Sequence, residues 1–391
     1  MSTVSLPMRL LNAAGRIPVS RQNPRFRLDK DTVIDEARRR AGWSDFGAEW
    51  FEEGLDALLH SIAADVDLEL LGQIALREAI IDNLTNRLLL AQARAWSPET
   101  FQRPLLPPIV VTGLHRSGTT HLHRLLACDR ARHAPAYWEL VSPMVRPGDP
   151  DVRRRRARRS LAWRKRVMPN LDRMHVIGVD DPEECQYLTA SSFESVFYWS
   201  LAPVTSYLDW YLQHDRRAKY AEWRQWLLVL QRQAGDRPLV LKAPEHLGAL
   251  EALVEAVPEA HLVQTQRDPV TAFASYLDMT LATQGLSGHV DTSRTRQSSL
   301  ALFESELRAA AAFRRAHPGR VVDVGYGDLT SDPAGTVSSV YEQLGEPEPA
   351  DLRAEVQAYA ESHPQHQHGE HRYPVDSAEP ARHRLDQAAK G

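Results

Sequence analysis

The chain has 391 residues, 43% of them hydrophobic and 25% charged, with a formal net charge of −4. That balance suits a soluble globular enzyme with a sizeable core, and it excludes any global electrostatic drive toward nucleic acid or anionic membrane. Two cysteines, Cys128 and Cys185, are too few for a disulfide framework and suit a reducing compartment. The opening MSTVSLPMRLLNAAGRIPVS lacks the apolar core of a signal peptide, and no apolar run is long enough to span a bilayer. A cytoplasmic protein is expected. Residues 28–100 read as helical: EARRRAGW, LDALLHSIAADVDLELL and LREAIIDNLTNRLLLAQARAW repeat apolar residues three and four apart.

Next comes IVVTGLHRSGTTHLHRLLAC, residues 109–128, which predicts a buried strand, a glycine-bracketed loop and a helix. Ile109, Val110 and Val111 are β-branched and follow Pro107 and Pro108, as befits a central parallel strand. Gly113 and Gly118 permit a tight turn with inward-facing N–H groups, and the helix from Thr119 directs its positive end at the same point. The spacing fits the phosphate-loop pattern G-x-x-x-x-G-K-[ST], except that Thr119 replaces the lysine and Arg116 supplies the basic group inside the loop. Without a lysine to reach β- and γ-phosphates, the loop suits a ligand with a shorter anionic arm.

HRSGTT in this setting resembles the 5′-phosphosulfate loop of the sulfotransferases, usually PKSGTT or PRSGTT. A second motif strengthens the likeness. In LVQTQRDPVTAFASYLDMT a strand ends at Arg267-Asp268-Pro269, and Ser275 lies on the following helix. The family's R-[DN]-P-x₅-S binds the 3′-phosphate of its donor, 3′-phosphoadenosine 5′-phosphosulfate (PAPS), through arginine and serine. The chemistry stands by itself, because a guanidinium fork matches phosphate oxygens and a hydroxyl adds a neutral donor. The resemblance to a bacterial-type PAPS-dependent sulfotransferase implies an α/β fold like that of P-loop NTPases. It assigns donor binding to Arg116, Ser117, Gly118, Thr119, Thr120, Arg267 and Ser275, with no metal.

Between the motifs, LKAPEHL resembles the family's LKSPEHL. A strand over 239–242 ends at Lys242, placed to stabilise charge on the transferring group, and His246 is the leading general base. The rival base lies in Asp180-Asp181-Pro182-Glu183-Glu184, similar to a PEE segment of the family. Glu184 is the candidate there, set against the plainer reading of an acidic first helical turn. The run Arg153–Arg166 reads as a solvated basic helix face. The aromatics between Phe193 and Trp226 read as core, with some free to line an acceptor pocket.

Strands over 261–265 and 320–324 complete an expected parallel sheet flanked by helices. Tyr326 and Asp328 read as a strand-to-helix corner. HGEHRY, residues 368–373, is similar to the family's HGxHxY tail and makes Arg372 a candidate for the donor's 3′-phosphate. The expected organisation is a helical extension over 1–100 packed on the core, a sulfotransferase α/β domain over 101–374 and a flexible tail over 375–391. The function implied is in-line sulfuryl transfer from PAPS to a hydroxyl or amine of a small-molecule, lipid or glycan acceptor. A magnesium-dependent P-loop kinase and a non-catalytic nucleotide-binding protein are the alternative classes.

Overall fold

The computed structural model describes residues 27–167, 177–363 and 378–391. Three helices open the described chain: α1 (Lys30–Ala41), α2 (Phe51–Asp65) and α3 (Leu70–Trp96). Asp29 caps α1 by accepting from Thr32 N at 3.0 Å, and Gly42 ends it at φ +65°. Strand β1 (Ile109–Thr112) follows, then α4 (Thr119–Leu126), α5 (Arg153–Val167) and α6 (Arg217–Gln233). Further along, among shorter helices, come β2 (Val240–Lys242), β3 (His261–Gln266), α7 (Pro269–Gln284), α8 (Thr292–Ala316) and β4 (Val321–Gly325). Helices α9 (Pro333–Leu344), α10 (Leu352–Ser362) and α11 (Arg382–Lys390) close the chain.

The four strands form one sheet in the order β2-β1-β3-β4, and every pairing is parallel. Ile109 stands opposite Val240 on one side and His261 on the other, while Leu262 pairs with Val321. Alternation along the strands divides the core. Val110, Leu241 and Leu262 face a helical layer that includes α1–α3 and α6–α8. Ile109, Val111, Val240 and Val263 face α4, α9 and α10 through Leu122, Leu126, Val337, Val340 and Val356. Both faces are therefore covered at the centre of the sheet, where β1 is buried throughout, while β4 at the edge leaves Asp323 exposed. This is the parallel α/β sheet flanked by helices that the sequence predicts.

The C-terminal segment differs from the flexible tail expected of it. Residues 382–390 form α11, which packs on α8 with Leu385 and Ala388 buried, and Arg384 pairs with Glu304. The short apolar stripe was too sparse to announce a helix without α8 to receive it. No helix of the described residues is long and apolar enough to cross a membrane.

Candidate active site

Segments leaving the carboxyl ends of all four strands line one cavity of about 1350 Å³, as open α/β sheets lead one to expect. His115, Arg116, Gly118, Thr119 and Thr120 come from the loop after β1, Pro244 follows β2, Arg267 follows β3 and Tyr326 follows β4. The loop needs its glycines. Gly113 has φ +142°, and a β-carbon there would sit 2.5 Å from Thr265 Oγ1; Gly118 has φ +99°, and a β-carbon would lie 2.9 Å from the Tyr326 ring. Arg116 also takes a left-handed φ of +69°. Leading N–H groups of α4, which have no acceptor one turn earlier in a helix, open toward the loop.

The anion-binding candidates converge. Arg116 Nε donates to Ser275 Oγ at 3.1 Å, and Arg267 Nη1 donates to the Arg116 carbonyl at 2.7 Å. The Arg267 guanidinium lies 4.3 Å from the centre of the Tyr326 ring, which fixes its plane. Asp268 caps α7 by accepting from Thr271 N at 2.9 Å, and Pro269 starts that helix, so Arg267 is held at the strand end with Ser275 on the first turns. Ser117 is not among the residues that line the cavity. Its hydroxyl donates to Leu114 O at 2.6 Å and meets Thr265 Oγ1 at 2.6 Å, so it braces the loop from behind. Arg372 lies outside the described residues.

The second group centres on Lys242, fully buried at the end of β2. Its Nζ donates to Glu184 Oε1 at 2.6 Å and to Thr120 Oγ1 at 3.2 Å, with Glu183 Oε1 at 3.8 Å. Glu184 lines the cavity with its side chain 13% exposed, and among the described residues no hydrogen bond reaches its second oxygen. The tie has a backbone cause: Cys185 N donates to the Lys242 carbonyl at 2.9 Å, bringing the two segments side by side.

His246 is not brought to the cavity. It is 0% exposed, with Nδ1 2.8 Å from the Tyr220 hydroxyl and Nε2 3.1 Å from Cys185 Sγ, and Trp223 packs on its ring. Burial pushes its pKa down to about 3, so the imidazole is neutral and occupied on both sides. His246 is thus packed away from the cavity, a placement that weighs against the general-base expectation. The 3₁₀ turn Pro244–Ala249 points it inward, a reversal that a strand-end motif cannot reveal. Its neighbour Glu245, passed over in the sequence, organises that turn. The buried carboxylate accepts from Ser195 Oγ at 2.8 Å and Val196 N at 3.2 Å, pairs with Lys219 at 3.2 Å and bonds Thr189. Burial raises its pKa, but the Lys219 ammonium and these donors together hold it below the usual range.

Sequence reasoning also missed two cavity residues. His115 lines the cavity, packs against Tyr276 and places Nε2 3.8 Å from Glu306 Oε1. Burial lowers its pKa to about 4 and raises that of Glu306 well above the carboxylate range. The available signal was a histidine standing where the resembling loops carry proline. Tyr326, read as a corner residue, is the platform for Arg267. An apolar part of the remaining lining includes Leu71, Ile74, Met144, Phe197 and Met279, and α5 contributes Ala157 and Trp163 together with Arg153, Arg156 and Arg164. The basic run is thus more than a solvated face. Of the aromatics between 193 and 226, Phe197 lines the cavity, while Phe193, Tyr198, Trp199, Trp223 and Trp226 are core.

Comparisons with known proteins bear on the family of the chain. The omega-hydroxy-beta-dihydromenaquinone-9 sulfotransferase Stf3 of Mycobacterium bovis is 25% identical over 264 residues, covering 61% of this chain, and its Mycobacterium tuberculosis counterpart aligns equally. The chain spans 63% of the length of these curated relatives. The crystal structure of sulfotransferase STF1 from Mycobacterium tuberculosis superposes with a TM-score of 0.76 at 28% identity, covering 92% of this chain and 98% of that one. STF9 from Mycobacterium avium shares the fold with a TM-score of 0.82 at 24% identity, covering 92% and 95%. A sequence profile described as "Sulfotransferase family" matches residues 107–350, more than half of the chain, and the protein therefore belongs to the sulfotransferase family.

Proposed function

We propose that the protein moves a sulfuryl group from PAPS to a hydroxyl on an elongated apolar acceptor, with Glu184 as the proton acceptor. One observation carries the reading: a single cavity is lined by the phosphate-loop residues, by Glu184 and by a broad apolar wall. Apolar walls with a few convergent polar groups are what ligand sites of this size present. The Stf3 relatives, named for a hydroxylated menaquinone derivative, support an acceptor of lipid-like chemistry.

In this scheme Arg116, the loop amides and the N-terminus of α4 hold the 5′-phosphosulfate, and Arg267 with Ser275 holds the 3′-phosphate. Thr119 and Thr120 add donors to the same cradle. The acceptor hydroxyl gives its proton to Glu184 as its oxygen bonds to sulfur, and the bond from sulfur to the bridging phosphate oxygen breaks. Negative charge then grows on the departing phosphate of 3′,5′-adenosine bisphosphate (PAP). Neutralising Glu184 removes the nearer of the two carboxylates beside Lys242, whose ammonium then has more of its charge available to that phosphate at the same moment. Proton uptake and leaving-group stabilisation are thereby coupled through the 2.6 Å contact. A location on the cytoplasmic side is part of this reading, since PAPS must be supplied to the site.

Titration calorimetry with PAP and with ATP, each with and without magnesium, tests the donor. Metal-independent PAP binding is the expected outcome. Magnesium-dependent ATP binding with no response to PAP would overturn the reading in favour of a kinase-like activity.

A further inference from the structure

Helix α5 carries nine Arg or Lys residues among fifteen and no acid, in a chain whose net charge is −4. At 3.6 residues per turn, Arg155, Arg159, Ala162 and Arg166 fall on one side of it, and all four are exposed. Arg155, Arg159 and Arg166 make no hydrogen bond or close ion pair with another described residue. Charges elsewhere in the molecule are handled otherwise: Arg154 on the flank of α5 is matched to Asp180, and Arg217 to Glu255. The inner side of α5 buries Ala157 and Leu161, and Arg153, Arg156 and Arg164 line the cavity beside Ala157 and Val167. Trp163 sits at the boundary between the two sides, lining the cavity while 40% exposed to solvent.

A basic outer face, an amphipathic aromatic at its edge and an apolar chamber behind it make a combination that matches one environment. Arginines attract an anionic bilayer surface within a Debye length, tryptophan prefers the headgroup boundary, and a chamber opening beside them receives an apolar molecule without passing it through water. We propose that α5 docks the protein on anionic membrane, with Arg155, Arg159 and Arg166 against the headgroups and Trp163 at the lip of the cavity. The occupant of this face is a bilayer rather than nucleic acid, because the aromatic and the apolar chamber adjoin it and duplex phosphates would use neither. The purpose of docking rests on the lipid-like acceptor proposed above. The docking itself is measured without donor, acceptor or turnover, so it stands or falls separately.

The test is co-sedimentation of the full-length protein with vesicles of equimolar phosphatidylglycerol and phosphatidylcholine, compared with phosphatidylcholine alone. Binding to the anionic vesicles, lost at high salt, is expected. Arg155→Gln, Arg159→Gln and Arg166→Gln should each weaken partitioning by up to about fivefold, and the triple variant by more than tenfold. These positions are exposed, so unchanged melting curves confirm that the variants fold. The protein has nine tryptophans, so brominated lipid is used and the quenching of wild type is compared with that of Trp163→Phe. The share of quenching lost in the variant reports Trp163. Equal binding to both vesicle types, an unaffected triple variant or retention on duplex DNA without retention on vesicles would overturn the proposal.

Discussion

Replacing Glu184 by Gln separates the proton-accepting role from the structural one. The amide oxygen of Gln can still accept from Lys242 Nζ, where the carboxylate now sits at 2.6 Å, but it cannot take a proton at neutral pH. Deleting one partner of a buried ion pair costs about 3–5 kcal/mol when the remaining charge is stranded. Lys242 is not stranded in this variant, because Glu183 Oε1 remains at 3.8 Å and Thr120 Oγ1 at 3.2 Å. The stability loss should therefore fall to about 1–2 kcal/mol, the scale of weakening one charged hydrogen bond. Loss of a positioned base lowers turnover by about 10²–10⁴-fold, far beyond that structural cost. The assay is transfer from labelled PAPS to the best acceptor in a panel of long-chain and prenyl alcohols, with PAP affinity measured in parallel. A fall in kcat of at least a hundredfold with nearly unchanged PAP affinity is expected. A variant that turns over within threefold of wild type would refute Glu184 as the proton acceptor and the coupling to Lys242.

Arg267→Ala removes a guanidinium held against Tyr326 and should weaken PAP binding by about 10–100-fold, the worth of a bidentate charge-assisted contact, as calorimetry would show; an affinity within twofold would place the 3′-phosphate elsewhere. His246→Ala empties a buried site bonded to Tyr220 and Cys185, so it should cost about 2–4 kcal/mol of stability while kcat per folded molecule stays within tenfold; a folded but inactive variant would restore His246 to the chemistry. His115, His123 and His246 are buried neutral, with pKa values of about 4, 3 and 3 against 6.5 unfolded. The unfolded chain then binds more protons between those values, so stability falls as pH drops below about 6.5, by up to about 1.4 kcal/mol per histidine per pH unit. Denaturant unfolding at pH 7 and pH 5 measures this, and equal stabilities would contradict the burial argument.

The glycine-bracketed loop after β1 was legible because it depends on local conformation. Gly113 and Gly118 mark backbone that other residues adopt only under strain, and the β-branched run before them marks a central strand. The strands expected at 239–242, 261–265 and 320–324 overlap the observed β2, β3 and β4, because each holds a short stretch of buried apolar residues. Side-chain partners across the chain were not readable. Arg116 and Ser275, 159 positions apart, meet only because β1 and β3 are adjacent. Tyr326 gained its place beside Arg267 from the pairing of β3 with β4.

The sequence by itself thus determined the fold class, the loop and the set of polar residues from which a site can be built. Tertiary structure alone decided which way each of them faces. Lys242 and His246 are four residues apart, yet one bonds cavity-lining Glu184 while the other is sealed between Tyr220 and Cys185. The turn at Pro244–Ala249 reverses direction within those four positions, and the buried Glu245–Lys219 pair fixes the reversal. Orientation of that kind follows from long-range packing and charge pairing, which composition and spacing do not encode in any local window.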